Sequence, residues 1–262
     1  METETQKAAK PKSKRLNKQL MRLKKLGGIL RTGALASRIY HVLDDKKIIY
    51  MAMYKAACSS ILASLYSLPP QNHYLDIHRG VGRPENVVFD IRYGQYPDYF
   101  KFTFVRNPLE RLTSLYHNKY HTDLKLLENG TLKHLYYEHY LFGVLRKDTG
   151  FAGFAKRVSR IPNYLADRHF VSQHFLTRDW RGRPLLDHIG RFEELPDAYE
   201  SIREKYDLVP LAHYNMTNKG NWMDFYDLET AKRMIRHYRK DIEAFGYRDE
   251  ADALLRYVQG KQ

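Results

Sequence analysis

The feature that most constrains this chain is an apolar run, Phe102-Thr103-Phe104-Val105, that stops on Arg106 and turns through Asn107-Pro108. It continues as an amphipathic stretch, Leu109-Glu110-Arg111-Leu112-Thr113-Ser114-Leu115-Tyr116. A short apolar run rich in aromatic and β-branched residues reads as a buried strand. Pro108 suits the first turn of the following helix, where its missing N–H has no partner to lose. Arg106 is therefore expected at a strand end, with Ser114 facing it two turns into the helix. Amides at the start of such a helix favour an anion, so the corner reads as a phosphate site. The alternative is that Arg106 caps the strand and pairs with Glu110.

A second corner lies upstream. Residues 48–53, Ile-Ile-Tyr-Met-Ala-Met, read as a buried strand, followed by Tyr54-Lys55-Ala56-Ala57-Cys58-Ser59-Ser60 and a helical pattern through Ile61, Leu62 and Leu65. Strand, small-residue loop, lysine, hydroxyls and helix follow the logic of a phosphate cradle. The small side chains let backbone amides approach the ligand, and Lys55 adds a point charge. The stretch lacks the glycines of G-x-x-x-x-G-K-[ST], which disfavours an ordinary nucleotide triphosphatase.

Together the two corners resemble the nucleotide site of carbohydrate sulfotransferases, which use 3′-phosphoadenosine 5′-phosphosulfate (PAPS) and include the chondroitin and heparan enzymes. The resemblance implies that Lys55, Ala56, Ala57, Cys58, Ser59 and Ser60 hold the 5′-phosphosulfate and that Arg106 and Ser114 hold the 3′-phosphate. It continues in Arg168-His169-Phe170-Val171-Ser172-Gln173, similar to the family's H-W-x-x-Q with Phe170 in place of tryptophan. Asp187-His188-Ile189-Gly190-Arg191-Phe192-Glu193-Glu194-Leu195 and Tyr238-Arg239-Lys240-Asp241-Ile242-Glu243-Ala244-Phe245-Gly246-Tyr247 resemble two further family segments. The loop before Trp222 matches one that closes over the nucleotide in the family, making Thr217 and Lys219 candidates for phosphate or adenine contacts.

Sulfuryl transfer needs an acceptor hydroxyl in line with sulfur, positive charge on the leaving oxygen and a base for the hydroxyl proton. Lys55 is the candidate for the charge. His169 is the preferred base because it matches the family position and because an imidazole titrates near neutrality. His78 follows it, with Asp90 and Glu193 as carboxylate alternatives. His78 and Arg79 lie in the polar loop between the corners, where acceptor contacts or a plain surface turn are both expected. Cys58 has no histidine and acidic or amide partner at recognisable spacing, so it reads as a small loop residue.

Strands alternating with helices imply an α/β fold, a mainly parallel sheet flanked by helices, with ligands at the carboxyl ends of the strands. The expected helices are 109–121, 132–145, 195–206 and a long one over 228–245. Further strands are expected at 87–91, 185–192 and 211–214. At 262 residues the chain is long enough for one substantial core. It is divided here into a basic tail, 1–26, and one domain, 27–262. The tail's nine Lys or Arg and two Glu carry half of a net charge of +14. A solvated tail, docking on anionic membrane or polysaccharide, and nucleic-acid contact compete as its use, nucleic acid least favoured.

The remaining charge implies anionic ligands, PAPS among them, beside a saccharide or glycoconjugate acceptor. No metal is expected, because neither His-x-x-x-His spacing carries a protease glutamate and the single cysteine provides no thiolate cluster. That cysteine, with no apolar run long enough for a span and no secretory h-region, points to the cytoplasm. Two other classes remain open: a nucleotide or metabolite kinase with a degenerate phosphate loop, for which Asp90 would hold magnesium, and a non-catalytic polyanion-binding module.

Overall fold

A computed structural model of the chain describes residues 38–68, 86–117, 145, 150–211 and 220–261. A hairpin joins β1 (Ile39–Leu43) to β2 (Ile48–Met51), and a small-residue loop then enters α1 (Cys58–Leu65). Strands β3 (Val87–Phe89) and β4 (Phe100–Val105) precede α2 (Pro108–Tyr116), α3 (Gly150–Val158) and the single-turn α4 (Gln173–Leu176). Strand β5 (His188–Arg191) leads to α5 (Leu195–Lys205), and the chain continues through α6 (Leu228–His237), α7 (Arg239–Ala244) and α8 (Arg248–Gln259).

The strands form one sheet in the order β3-β1-β2-β4-β5. Pairs β2/β4 and β4/β5 are parallel, whereas β1/β2 and β1/β3 are antiparallel. The α/β class with flanking helices agrees with the expectation, but the sheet is mixed rather than mainly parallel. The reason is local: the turn Asp44-Asp45-Lys46-Lys47 is far too short for a crossover and can only return the chain beside itself. Both phosphate corners follow strands of the parallel half, β2 and β4, so their carboxyl ends open on one edge of the sheet.

Alternation along β2 divides its side chains between two cores. Ile48 and Tyr50 pack with Ile61, Leu62, Tyr199 and Ile202 of α1 and α5, while Ile49 and Met51 pack with α2, α3 and the C-terminal helices. Strand β4 follows the same period, with Phe102 and Phe104 on the first face and Val105 on the second. Thr103 satisfies its hydroxyl across the sheet by donating to the Met51 carbonyl at 2.7 Å. Such double coverage explains why these strands read as continuous apolar runs.

The expected helix 228–245 is broken at Tyr238, whose φ of −96° and ψ of 19° end α6 and begin α7. Its buried hydroxyl donates to the Phe170 carbonyl at 2.6 Å, and the break turns Asp241 toward α4. The strand expected at 185–192 is confined to β5 because Phe192 begins a 3-10 turn. Strand β1 and helix α8 were not anticipated. Residues 1–26, nearly all of the 132–145 helix and the 212–214 portion of the last strand lie outside the described residues. No helix among the described residues is long and apolar enough to cross a membrane.

Gly190 pairs in register with Phe104, and a Cβ built on it would lie 2.4 and 2.6 Å from two carbons of that ring. The Phe104 ring is wholly buried and has no room to retreat. Gly190→Ala is expected to destabilise the fold by about 1–3 kcal/mol, the usual cost of overpacking a core. Urea denaturation of the two proteins would measure it, and an unchanged midpoint would contradict this packing.

Candidate active site

The first corner leaves β2 and turns through Tyr54–Ala57 into α1. Lys55 and Ala57 take left-handed φ values of 71° and 54°, unusual for residues with a Cβ. Turns that mix hands in this way point amides into an anion-binding concavity. The N-cap of α1, Ala57, makes no side-chain cap hydrogen bond, and the Lys55 and Ser59 amides face the Cys58 thiol at the start of the helix. Ala56 behaves differently from its neighbours: it is fully buried, and its N–H donates to the Met53 carbonyl at 3.3 Å, so it supports the loop from within. Burial pushes the Cys58 thiol up to about 11, against a smaller downward pull from the Lys55 charge. A thiol protonated at neutral pH is no nucleophile, in agreement with its reading as a loop residue.

At the second corner Arg106 follows β4 directly and Asn107 caps α2, its side chain accepting from the Leu109 amide at 3.0 Å. The amides expected to meet an anion here are consumed internally. Arg106 N–H donates to Gln173 Oε1 at 3.0 Å, and Asn107 N–H to Glu193 Oε1 at 2.9 Å. The donors left to meet a ligand at this corner are therefore those of side chains. Arg106 lies over the Phe192 ring, its Cζ 4.5 Å from the centroid, and Nη1 donates to the Lys55 carbonyl at 3.2 Å. The ion pair with Glu110, the alternative read from the sequence, is also present, while the buried Arg106 Nε has no hydrogen-bond partner among the described residues. Arg106, Thr113, Ser114, His117, Trp222 and Phe225 line one cavity, and Glu110 borders it.

His169 lies beside the first corner. Its ring meets that of Tyr54, the residue before Lys55, edge to face at 4.8 Å. Asp167 Oδ1 accepts both from His169 Nδ1, at 2.5 Å, and from its backbone N–H, at 2.9 Å. A carboxylate at Nδ1 fixes the tautomer and leaves Nε2 as the ring's proton-accepting atom. Arg168 Nη1 donates to the Tyr54 hydroxyl at 3.3 Å and closes the cluster.

These segments are held by Arg111, Gln173 and Asp241, which lie within the segments of the family resemblance but were assigned no role from sequence. Arg111 is 1% exposed and donates to three carbonyls: Tyr54 at 2.9 Å, Val171 at 2.8 Å and Arg168 at 2.9 Å. Gln173 returns the Arg106 contact, its Nε2 donating to the Arg106 carbonyl at 2.7 Å. Asp241 accepts from Ser172 Oγ at 2.5 Å and from the Gln173 and His174 amides at 2.9 Å each, anchoring the start of α4.

Glu193, considered as a base, instead joins the Asn107 amide to the Tyr247 hydroxyl, 2.8 Å from Oε2. Asp90, considered as a magnesium ligand, pairs with Arg38 at 3.4 Å and accepts its backbone N–H. His78, Arg79, Thr217 and Lys219 lie outside the described residues. Sequence reasoning missed Arg111, Asp167, Trp222 and Phe225. Arg111 stood in the recognised motif, and Asp167 two residues before His169 was a readable signal; the aromatic pair had none.

Two parallel strands thus end in adjoining loops that lead into helices at the carboxyl edge of the sheet, the ligand-binding edge of α/β folds. The profile of the sulfotransferase family matches residues 38–248, and the chain belongs to that family. Carbohydrate sulfotransferase 14 of Mus musculus is 34% identical over 100 residues, covering 35% of this chain and 26% of that protein. Its Homo sapiens counterpart is 33% identical over the same length and with the same coverage. The chain thus aligns with about a quarter of the length of these curated relatives. No solved structure matches.

Replacing Arg111 with methionine fills its volume but strands one buried carbonyl, that of Val171, and two partly buried ones, those of Tyr54 and Arg168. An unsatisfied buried acceptor costs about 1–3 kcal/mol, so a loss of about 1–3 kcal/mol is expected in urea denaturation. Lysine should not rescue it, because one ammonium cannot reproduce a planar guanidinium fork. A lysine variant as stable as the parent would contradict this role.

Proposed function

We infer that this chain transfers a sulfuryl group from PAPS to a hydroxyl of a saccharide or glycoconjugate. The observation that carries the reading is the hydrogen bond from Arg106 Nη1 to the Lys55 carbonyl, which makes the two anion corners walls of one site. Two details suit a ligand with phosphate at both ends. The first corner has left-handed residues and a helix start with no side-chain cap; the second has a buried guanidinium nitrogen without a partner among the described residues. When bound, PAPS supplies a sulfuryl group already attached to a phosphate leaving group.

Each residue has a separable task. Lys55 and the first-turn amides of α1 would meet the charge that grows on the leaving oxygen. Arg106 and Ser114 would hold the 3′-phosphate, with Trp222 and Phe225 forming an apolar wall beside it. Glu110 keeps the Arg106 guanidinium in the cavity before the ligand arrives, at some electrostatic cost to an anion there. His169, oriented by Asp167, would take the acceptor proton at Nε2. Direct in-line transfer needs no covalent intermediate, consistent with a buried, protonated Cys58.

Incubation with radiolabelled PAPS and a mixed saccharide panel tests the reading directly, with label expected in the saccharide. Adenosine 3′,5′-bisphosphate should raise the melting temperature, since a ligand that binds only the folded state must stabilise it. Stabilisation by ATP with magnesium and none by the bisphosphate would overturn the assignment. Lys55→Ala is expected to lower kcat by about 10²–10³-fold while raising the bisphosphate Kd far less. Arg106→Ala should show the opposite balance, with the larger loss in bisphosphate affinity. His169→Gln should cost about 10²–10⁴-fold in kcat and leave that affinity unchanged, measured by the same transfer and binding assays.

A further inference from the structure

Trp180 is 84% exposed, the most exposed large hydrophobic side chain among the described residues. Its position does not come from a slack loop. Residues 178–184 form a tight hairpin closed by the Arg178–Pro184 bridge. Inside it, Asp179 Oδ1 accepts the Arg181 and Arg183 amides at 2.9 and 2.8 Å, and Oδ2 accepts Arg183 Nε at 2.8 Å. Arg178 Nη1 donates to the Gly182 carbonyl at 2.9 Å. The hairpin is thus ordered by its own polar contacts, which hold an indole out in water.

Its surroundings repeat one chemical pattern. The Arg181 guanidinium stacks over Trp180, 4.5 Å from the ring centroid, and the Arg183 guanidinium over Tyr93 at 4.1 Å. Tyr93 is itself 52% exposed and follows the exposed Arg92. Two exposed aromatic rings, each with an arginine of the same hairpin across its face, therefore flank one surface element.

The base of the hairpin is fixed to the edge of the sheet that carries the candidate site. Arg38 Nε donates to the Leu176 carbonyl at 2.8 Å, and Nη2 to those of Phe175 and Arg178 at 3.0 and 2.8 Å. Arg38 is in turn paired with Asp90 beyond β3. The helix that ends at Leu176 begins at Gln173, which holds the Arg106 backbone, so one short rigid element links the hairpin to the nucleotide corner.

We propose that Trp180, Tyr93, Arg181 and Arg183 form a docking platform for an acidic saccharide chain, the acceptor or a continuation of it. The proposal rests on the reading of a saccharide acceptor and adds its charge class and its place of contact. A sugar ring presents an apolar C–H face that packs on an aromatic face, while its carboxylates or sulfates project from the rim. A guanidinium already stacked on the aromatic is preorganised to meet such a group through paired N–H donors. Arginines near both rings supply positive charge complementary to an acidic chain, whereas a neutral glycan would have no use for them.

The test uses the full chain and Trp180→Ala, with Arg181→Ser as a second variant, by calorimetric titration with hyaluronan, dextran sulfate, uncharged dextran and inorganic polyphosphate. Both substitutions are at exposed residues, and unchanged melting temperatures would verify folding. At least one acidic polysaccharide is expected to lose tenfold or more in affinity in both variants. Dextran should bind far more weakly than either acidic polymer. Polyphosphate, which has charge but no sugar ring, should bind parent and Trp180→Ala equally. The bisphosphate Kd should be unchanged in both variants, so failure of the nucleotide reading would appear in the parent protein and failure of this proposal only in the variants. Undiminished polysaccharide binding in Trp180→Ala would overturn the proposal. So would a change of oligomeric mass in that variant with polysaccharide affinity intact, which would identify the patch as an interface between copies.

Discussion

One buried guanidinium carries the assembly of this site. Arg111 rises from α2 with its charge removed from water, and burial alone pulls its pKa downward. An arginine nevertheless remains protonated in a protein, so it must be given acceptors. It takes them from the loop before Lys55 and from two carbonyls flanking the His169 segment. Two stretches, far apart in sequence from each other and from Arg111, are thereby held at hydrogen-bond distance from one side chain. The planar fork can do this because its donors point along fixed, divergent directions; a flexible ammonium concentrates its charge at one point.

Around that clamp the backbone polar groups of the second corner are almost all used within the protein. Gln173 takes both the N–H and the carbonyl of Arg106, Glu193 takes the Asn107 amide, and Asp241 anchors the turn from which Gln173 projects. The result separates two kinds of corner, each able to meet an anion in the proposed function. Beside Lys55 the backbone is strained into left-handed turns at a helix start with no side-chain cap, whereas beside Arg106 the backbone is satisfied and the charge of a side chain is presented. Strained backbone persists only where its surroundings over-determine it, and the Arg111 contact to Tyr54 supplies part of that determination.

Much of this was legible before any coordinates. The apolar runs of β2 and β4, the Asn-Pro start of α2 and the small-residue loop before α1 are local properties, and their physical causes lie within a few residues. Pairing of Arg106 with Glu110 was visible for the same reason, since Glu110 lies in the first turn of the helix that Arg106 leads into. The broken helix at Tyr238 was not legible, because the pattern on either side is helical and the break follows from a hydroxyl reaching Phe170. Nor was the antiparallel half of the sheet, although the short polar turn at 44–47 was its cue. Glu193 and Asp90 looked like free carboxylates in sequence because their partners, Tyr247, Asn107 and Arg38, come from distant segments.

The sequence by itself determined the strand-to-helix corners, the residue types offered to an anion and membership of the sulfotransferase family, because these depend on short-range periodicity and motif spacing. Only the tertiary structure decided which donors remain to meet a ligand and which are spent within the fold. Hydrogen-bond satisfaction is a property of the whole packed chain: a carboxylate, an amide or a guanidinium becomes a functional group or a structural one according to what the sheet brings within about 3 Å of it.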